Sequence, residues 1–278
     1  MTECNDIKEQ RRHNTGLAKV AVQSSADTFV VNQSWFSAST FVVKIATFAK
    51  PETVSSNDKK IDKMKIIISC CDRKNGGPLI HNGEVINFVS HVDQVVPNDE
   101  MYFHPDDLVP NEDITWRELV SQQGLNNNLQ PAHELYRPPI YNYLYQNYGN
   151  DLFIFSAGWG IIRADFRLPK YNVTFSNNNN IPNYAMRNNV DIFHDFNHLE
   201  GIAANEQILL IAGSDYVLPF CQLTEHLPNE KIIIYKNQNL LNNNQYLNNN
   251  NFQFQHYQTN RRTNWHYEFA QRLINNEI

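Results

Sequence analysis

The chain has no apolar run approaching the roughly 18 residues of a membrane-crossing helix, and its mean hydropathy of −0.52 agrees. The opening stretch from Met1 to Gly16 carries no apolar h-region, so it does not read as a secretory signal. Cysteine is scarce. Cys4, Cys70, Cys71 and Cys221 are the four, and two are adjacent, a spacing that rarely closes a structural bridge. The expectation is a reduced, cytoplasmic chain. An excess of positive charge is also missing, since 23 Lys and Arg face 29 Asp and Glu for a formal charge of −6. That argues against coating nucleic acid through bulk charge and leaves a local basic groove open. A GxxxxGK[ST] phosphate loop is absent.

What is present is enough for a core. Of 278 residues 41% are hydrophobic and 12% aromatic, which excludes a wholly disordered chain and suits one large domain or a domain with an appendage. Asparagine is the anomaly, with 39 residues and runs at Asn126–Asn128, Asn177–Asn180, Asn242–Asn244 and Asn248–Asn251. Asn favours turns, so each run is expected to mark a loop, and AT-rich coding is the plain explanation for the excess.

Residues 1–63 differ from the rest. A repeated Thr-Phe-Val-Val, beginning at Thr28 and Thr40, reads either as two strands of a small N-terminal β appendage or as a loosely ordered, even disordered, extension. Lys50 to Lys60 is a polar linker. The main domain is expected over residues 64–278. There, Lys65–Ser69, Leu152–Ser156, Gln207–Ala212 and Lys231–Tyr235 are short apolar runs suited to strands buried on both faces. Helical patterns cover Asp113–Gln122, Ala132–Asn147 and His266–Ile274, with Pro138 and Pro139 beginning or breaking the second. The expected fold class is α/β, a mostly parallel central sheet flanked by helices.

In open parallel sheets, ligands bind beyond the carboxyl ends of the strands. Three strands here end in small or polar residues: Ser69-Cys70, Ser156-Ala157-Gly158 and Gly213-Ser214-Asp215. They form a shared binding rim, or they simply let the strands turn. After the first strand, Cys70, Asp72, Arg73 and Lys74 combine a thiol, a carboxylate and two cations that suit a polar or anionic ligand, or a solvated turn. Trp159 sits between Gly158 and Gly160, either as a stacking platform or as a buried core residue. Arg163, Asp165, Arg167 and Lys170 follow as paired charges. His194 and His198 share one face only if their segment is helical. The Glu of a HExxH zinc site is missing, so no metal is expected. Asp215 is a candidate acid or a cap residue, and Cys70 a nucleophile or a packed thiol. Arg261 and Arg262, with Trp265 and Tyr267 beyond them, suit a phosphate backbone and an exposed base, or a solvated helix start.

These segments resemble the YaaA-like family in order. Ser69-Cys70 with Lys74 is similar to its Ser-Cys-x-x-x-Lys opening, and Leu135-Tyr136 to its Leu-Tyr element. Ser156-Ala157-Gly158-Trp159-Gly160-Ile161-Ile162 resembles its Ser-Ala-Lys-Tyr-Gly-Leu-Leu block, and Pro169-Lys170-Tyr171 the Pro-Tyr that follows. Gly213 to Val217 is similar to its Gly-x-x-Tyr-Val strand end. The match spans roughly residues 64–236. The chain departs from the pattern at Gly158, where the family often has Lys, and at Asn172, where it often has Asp.

The resemblance implies contact with nucleobases or DNA. YaaA-like proteins are linked to peroxide stress and DNA binding, and related core domains accompany enzymes that modify deazaguanine bases. The fold is similar to that of uracil-DNA glycosylases. The expected function is a DNA N-glycosylase excising a modified or damaged base, with phage defence as one setting. A non-catalytic DNA-binding stress protein and a transferase on a modified nucleoside are the alternatives. Such an enzyme needs the base out of the stack, which Trp159, Tyr171 or Phe155 would hold. Asp72 or Asp165 would stabilise the oxocarbenium ion or orient water, while Lys74, Arg163 or His198 would stabilise the departing base. An imine-forming Lys74 would instead make a glycosylase/lyase. Base-binding candidates are Ser69, Cys70, Arg73, Ser156, Gly158, Trp159, Arg163, Tyr171, Ser214, Asp215, Arg261 and Arg262. DNA is the expected partner, with no membrane and no cofactor.

Overall fold

The structure, a computed structural model, describes residues 64–124, 129–176, 180–188, 190–238 and 244–278. The expected N-terminal strand pair, and the asparagine runs at Asn126–Asn128 and most of Asn177–Asn180 and Asn242–Asn244, lie outside the described residues.

The chain enters through β1 (Met64–Ser69), and a small sheet of β2 (Leu79–His81), β3 (Glu84–Phe88) and β4 (Met101–Phe103) follows. Helix α1 (Trp116–Ser121) starts at a capping box, in which Thr115 and Glu118 each satisfy the other's backbone N–H. A short β5 (Gln130–Pro131) leads into α2 (Ala132–Leu135) and α3 (Ile140–Tyr148). Pro138 and Pro139 split the expected single helix, because a proline in a helix interior removes an N–H and clashes with the preceding turn. Next come β6 (Leu152–Ser156), β7 (Gly160–Arg163), β8 (Arg167–Leu168) and β9 (Phe196–Asn197). The chain closes with β10 (Gln207–Ile211), α4 (Val217–Thr224), β11 (Lys231–Tyr235), β12 (Phe252–His256) and α5 (Trp265–Ile274).

The main sheet has seven strands in the order β12-β11-β10-β1-β6-β7-β9. The first five run parallel, β7 reverses against β6, and β9 runs parallel to β7. The α/β expectation therefore holds as a mixed, mostly parallel sheet with helices. All five residues of β6, and Ile66, Ile67 and Ile68 of β1, are buried, as strands covered on both faces require. Burying each of these isoleucines stabilises the fold by about 1.5–3 kcal/mol. Helices α3 and α5 pack on one another, with the Tyr148 hydroxyl donating to the Leu273 carbonyl at 3.2 Å. Among the described residues no helix is long and apolar enough to cross a membrane.

The order of strands fixes one functional point. From β1 the chain builds outward to β6 on one side. It then returns to β10 on the other side of β1 and continues to β11. Loops leaving the carboxyl ends of β1 and β10 thus diverge, and that divergence opens a crevice where ligands settle in open α/β sheets.

Candidate functional site

A cavity of about 290 Å³ lies at this crevice. That is just below the range usual for small-molecule sites, about 300–1,000 Å³. The exit of β1 supplies Ser69, Cys70, Cys71 and Asp72, and the exit of β10 supplies Gly213, Asp215 and Tyr216. Thr174, Ser176 and Ile181 close one side, while His266 and Tyr267 reach in from the first turn of α5. The two strand exits are joined across the seam, since the Cys70 thiol and Tyr216 hydroxyl are in hydrogen-bond contact at 3.1 Å. The Tyr141 hydroxyl donates to the Ser69 carbonyl at 2.7 Å, which fixes the end of β1 from α3.

The lining carries few full charges at neutral pH. Burial pushes the Cys71 thiol up to about 11, so it is protonated and a poor nucleophile. Burial likewise raises the Tyr216 and Tyr267 phenols, and holds His266 down to about 4, so the imidazole is neutral. Two exposed carboxylates, Asp72 and Asp215, line the cavity from opposite strand exits. Exposed cations stand beside it: Arg73 follows Asp72, and the Arg137 N–H donates to the Arg73 carbonyl. Lys170 is tied to the same loop through the Gly77 carbonyl. Arg261 and Arg262 are exposed just before α5, with Arg261 paired to Glu268 at 2.7 Å.

Of the residues singled out in the sequence, Ser69, Cys70, Asp72, Gly213, Asp215 and Tyr267 meet at this cavity. Ser214 does not line it. It faces a neighbouring cavity of about 60 Å³ with Tyr235, Lys236 and Trp265. Tyr171 and Ser156 lie in a buried hydroxyl cluster, where Ser156 Oγ donates to Tyr171 Oη at 2.8 Å and the Tyr136 and Tyr171 hydroxyls are also 2.8 Å apart. Lys74 stands over that cluster, its Nζ 4.0 Å from the Tyr171 ring centroid.

Trp159 is not a stacking platform. It is fully enclosed, with its ring parallel to Phe196 and edge-on to Phe88 and Tyr171. Phe155 is also fully buried. Gly158 is buried as well, and a Cβ there would lie 3.1 Å from the Tyr171 ring. The lysine that the resembled pattern carries at this position would need that ring to move.

Arg163, Asp165 and His198 lie towards the end of β6 opposite the cavity. Because β7 runs back against β6, Arg163 pairs with Phe153 near the amino end of β6, whereas Gly160 pairs with Ser156 at the carboxyl end. The Arg163 guanidinium is spent on Asp165 at 3.0 Å, and the Arg163 N–H donates to His198 Nδ1 at 3.2 Å. His194 and His198 share no helix face, since Phe196–Asn197 is a strand, and His194 pairs instead with Asp106 at 3.5 Å. Among the described residues no cluster of three or more His, Cys, Asp or Glu could hold a metal.

Sequence reasoning missed two buried arginines. Arg117, ion-paired with Asp106, donates to the carbonyls of Gly158 and Trp159 at 3.1 and 3.2 Å. Arg187, ion-paired with Asp195 at 2.7 Å, donates to the Ala157 carbonyl at 2.7 Å. Together they pin the turn after β6, and no local motif announces them. Thr174 and Ser176 were also missed, because they lie beside an asparagine run that reads only as loop. Comparison with known proteins adds no relative: no family model, no curated protein and no solved structure matches the chain.

Proposed function

We propose that the chain is a nucleobase-directed N-glycosidase, a DNA N-glycosylase that excises a modified or damaged base. One observation carries the reading: two carboxylates, Asp72 and Asp215, face an otherwise largely uncharged cavity at the sheet's switch point. A neutral heterocycle with donor and acceptor edges fits walls of hydroxyl, thiol and imidazole groups. An oxocarbenium ion forming at the sugar would be stabilised by a carboxylate at the mouth, while the other orients water. Tyr267, His266 and Tyr216 supply the aromatic surfaces in place of Trp159. Arg73, Arg137, Lys170 and Arg262 are exposed cations that would offer phosphate contacts, which position a backbone without reading its sequence. The YaaA-like order of the strand-end motifs points to the same chemistry.

A second reading is a DNA-binding protein of YaaA type that holds a base without cutting it, a role the exposed cations Arg73, Arg137, Lys170 and Arg262 would serve equally. Duplexes carrying a panel of modified bases, treated with the protein and then with alkali, separate the two. Base excision leaves alkali-labile breaks, and binding alone leaves the strands whole.

A further inference from the structure

The loop after β1 holds an amine that the proposed excision does not use. Lys74 forms a backbone bridge with Tyr136, which directs its side chain across the buried hydroxyl cluster. Its Nζ lies 4.0 Å from the centroid of the Tyr171 ring and 5.9 Å from that of Tyr136. Among the described residues its hydrogen-bond partner is the Asp72 carbonyl at 3.5 Å, and it joins no ion pair with a carboxylate. A half-buried lysine held by π faces and one long hydrogen bond is unusual, because lysines withdrawn from water normally find an acid. The amine does not line the cavity but interacts electrostatically with Cys70, Cys71 and Asp72, three residues of its wall. A four-carbon stem on an exposed loop gives it the reach to enter that cavity.

We propose that Lys74 forms a covalent imine with the C1′ aldehyde of an abasic deoxyribose, so that the site cuts the strand after the base has left. The proposal rests on the base-excision reading above. The chemistry needs no further reagent. The amine lone pair attacks C1′ of the ring-opened sugar, and the carbonyl oxygen departs as water, giving a protonated imine. A carboxylate, here that of Asp72 two residues before Lys74, takes a proton from C2′. The C3′–O bond then breaks and its electron pair leaves with the 3′-phosphate. Water hydrolyses the unsaturated imine and returns the free amine. Burial lowers the Lys74 pKa from its ordinary value, which raises the fraction of neutral amine available for the attack.

The test uses the full chain and a duplex carrying a preformed abasic site, with sodium borohydride added to reduce any imine. A covalent protein–DNA adduct whose peptide map places the linkage on Lys74, and which is lost in Lys74→Arg, is the expected result. The arginine variant keeps a cation over Tyr171, and an unchanged unfolding transition shows that it folds. Absence of an adduct, or linkage to other lysines, overturns the proposal, and the wild-type map decides this without any variant. Because the abasic site is supplied ready-made, failure here leaves base release standing, whereas a Lys74 adduct without base release from any modified duplex overturns the excision reading alone.

Discussion

The thiol of Cys70 and the phenol of Tyr216 lie 3.1 Å apart, so a single side-chain contact ties the exit of β1 to the exit of β10. Both residues are buried, so removing the Tyr216 hydroxyl takes one hydrogen bond from a site that water does not refill. Tyr216→Phe is therefore expected to destabilise the fold by about 1 kcal/mol. A lower urea midpoint at unchanged slope is the readout, and an unchanged midpoint would count against a structural seam at this place.

Trp159→Ala separates a core tryptophan from a base-stacking one. The ring is fully enclosed by Phe88, Tyr171 and Phe196, so truncation should cost about 3–5 kcal/mol. Thermal unfolding measures this. A stable variant with weakened DNA binding would place the indole at the ligand after all.

The opposite rim should be silent in activity. Asp165→Asn and His198→Gln alter groups at the amino end of β6, on the far edge from the cavity. Base release at the wild-type rate is expected from both. A large fall in either would mean that the chemistry lies at the β7 end of the sheet.

Acid should weaken the fold through His266. Burial holds this imidazole down to about 4, against an ordinary value of about 6.5. Between those two pH values the unfolded chain binds the proton and the folded chain does not. Stability is thus full above about 6.5 and falls as pH drops through the window towards about 4. His104 and His198 are also lowered by burial, so His266→Gln should narrow the loss of Tm between pH 7 and pH 5 without abolishing it. An identical loss in the variant would show that His266 is already solvated.

The parallel strands were legible because burial on both faces leaves an unbroken apolar run, as in Ile66-Ile67-Ile68 and Leu152 to Phe155. The edge strand β12, Phe-Gln-Phe-Gln-His, was not, since half of it is polar and asparagine runs precede it. The strand-end rule found Ser69, Cys70, Gly213 and Asp215 of the cavity wall, and missed that Ser214 faces the neighbouring cavity. It failed at β6 because the reversal into β7 turns that exit into the core, and carries Arg163 and Asp165 to the far rim. Flanking glycines around Trp159 looked like room for a ligand. They instead admit close protein contacts: a Cβ at Gly160 would fall 2.3 Å from the Phe196 carbonyl. The arginines that hold this turn act over 30 to 42 residues of chain separation, beyond the reach of any local pattern.

The most direct measurement of the central claim is the yield of free base from modified-base duplexes with wild-type protein, Asp72→Asn and Asp215→Asn compared side by side. Both side chains are exposed, so the variants should fold normally. The account predicts release by the wild type and a loss of about 100-fold or more in each variant, the scale expected when a positioned acid or base is removed. Undiminished release by both variants, or none by the wild type from any modified base, contradicts it.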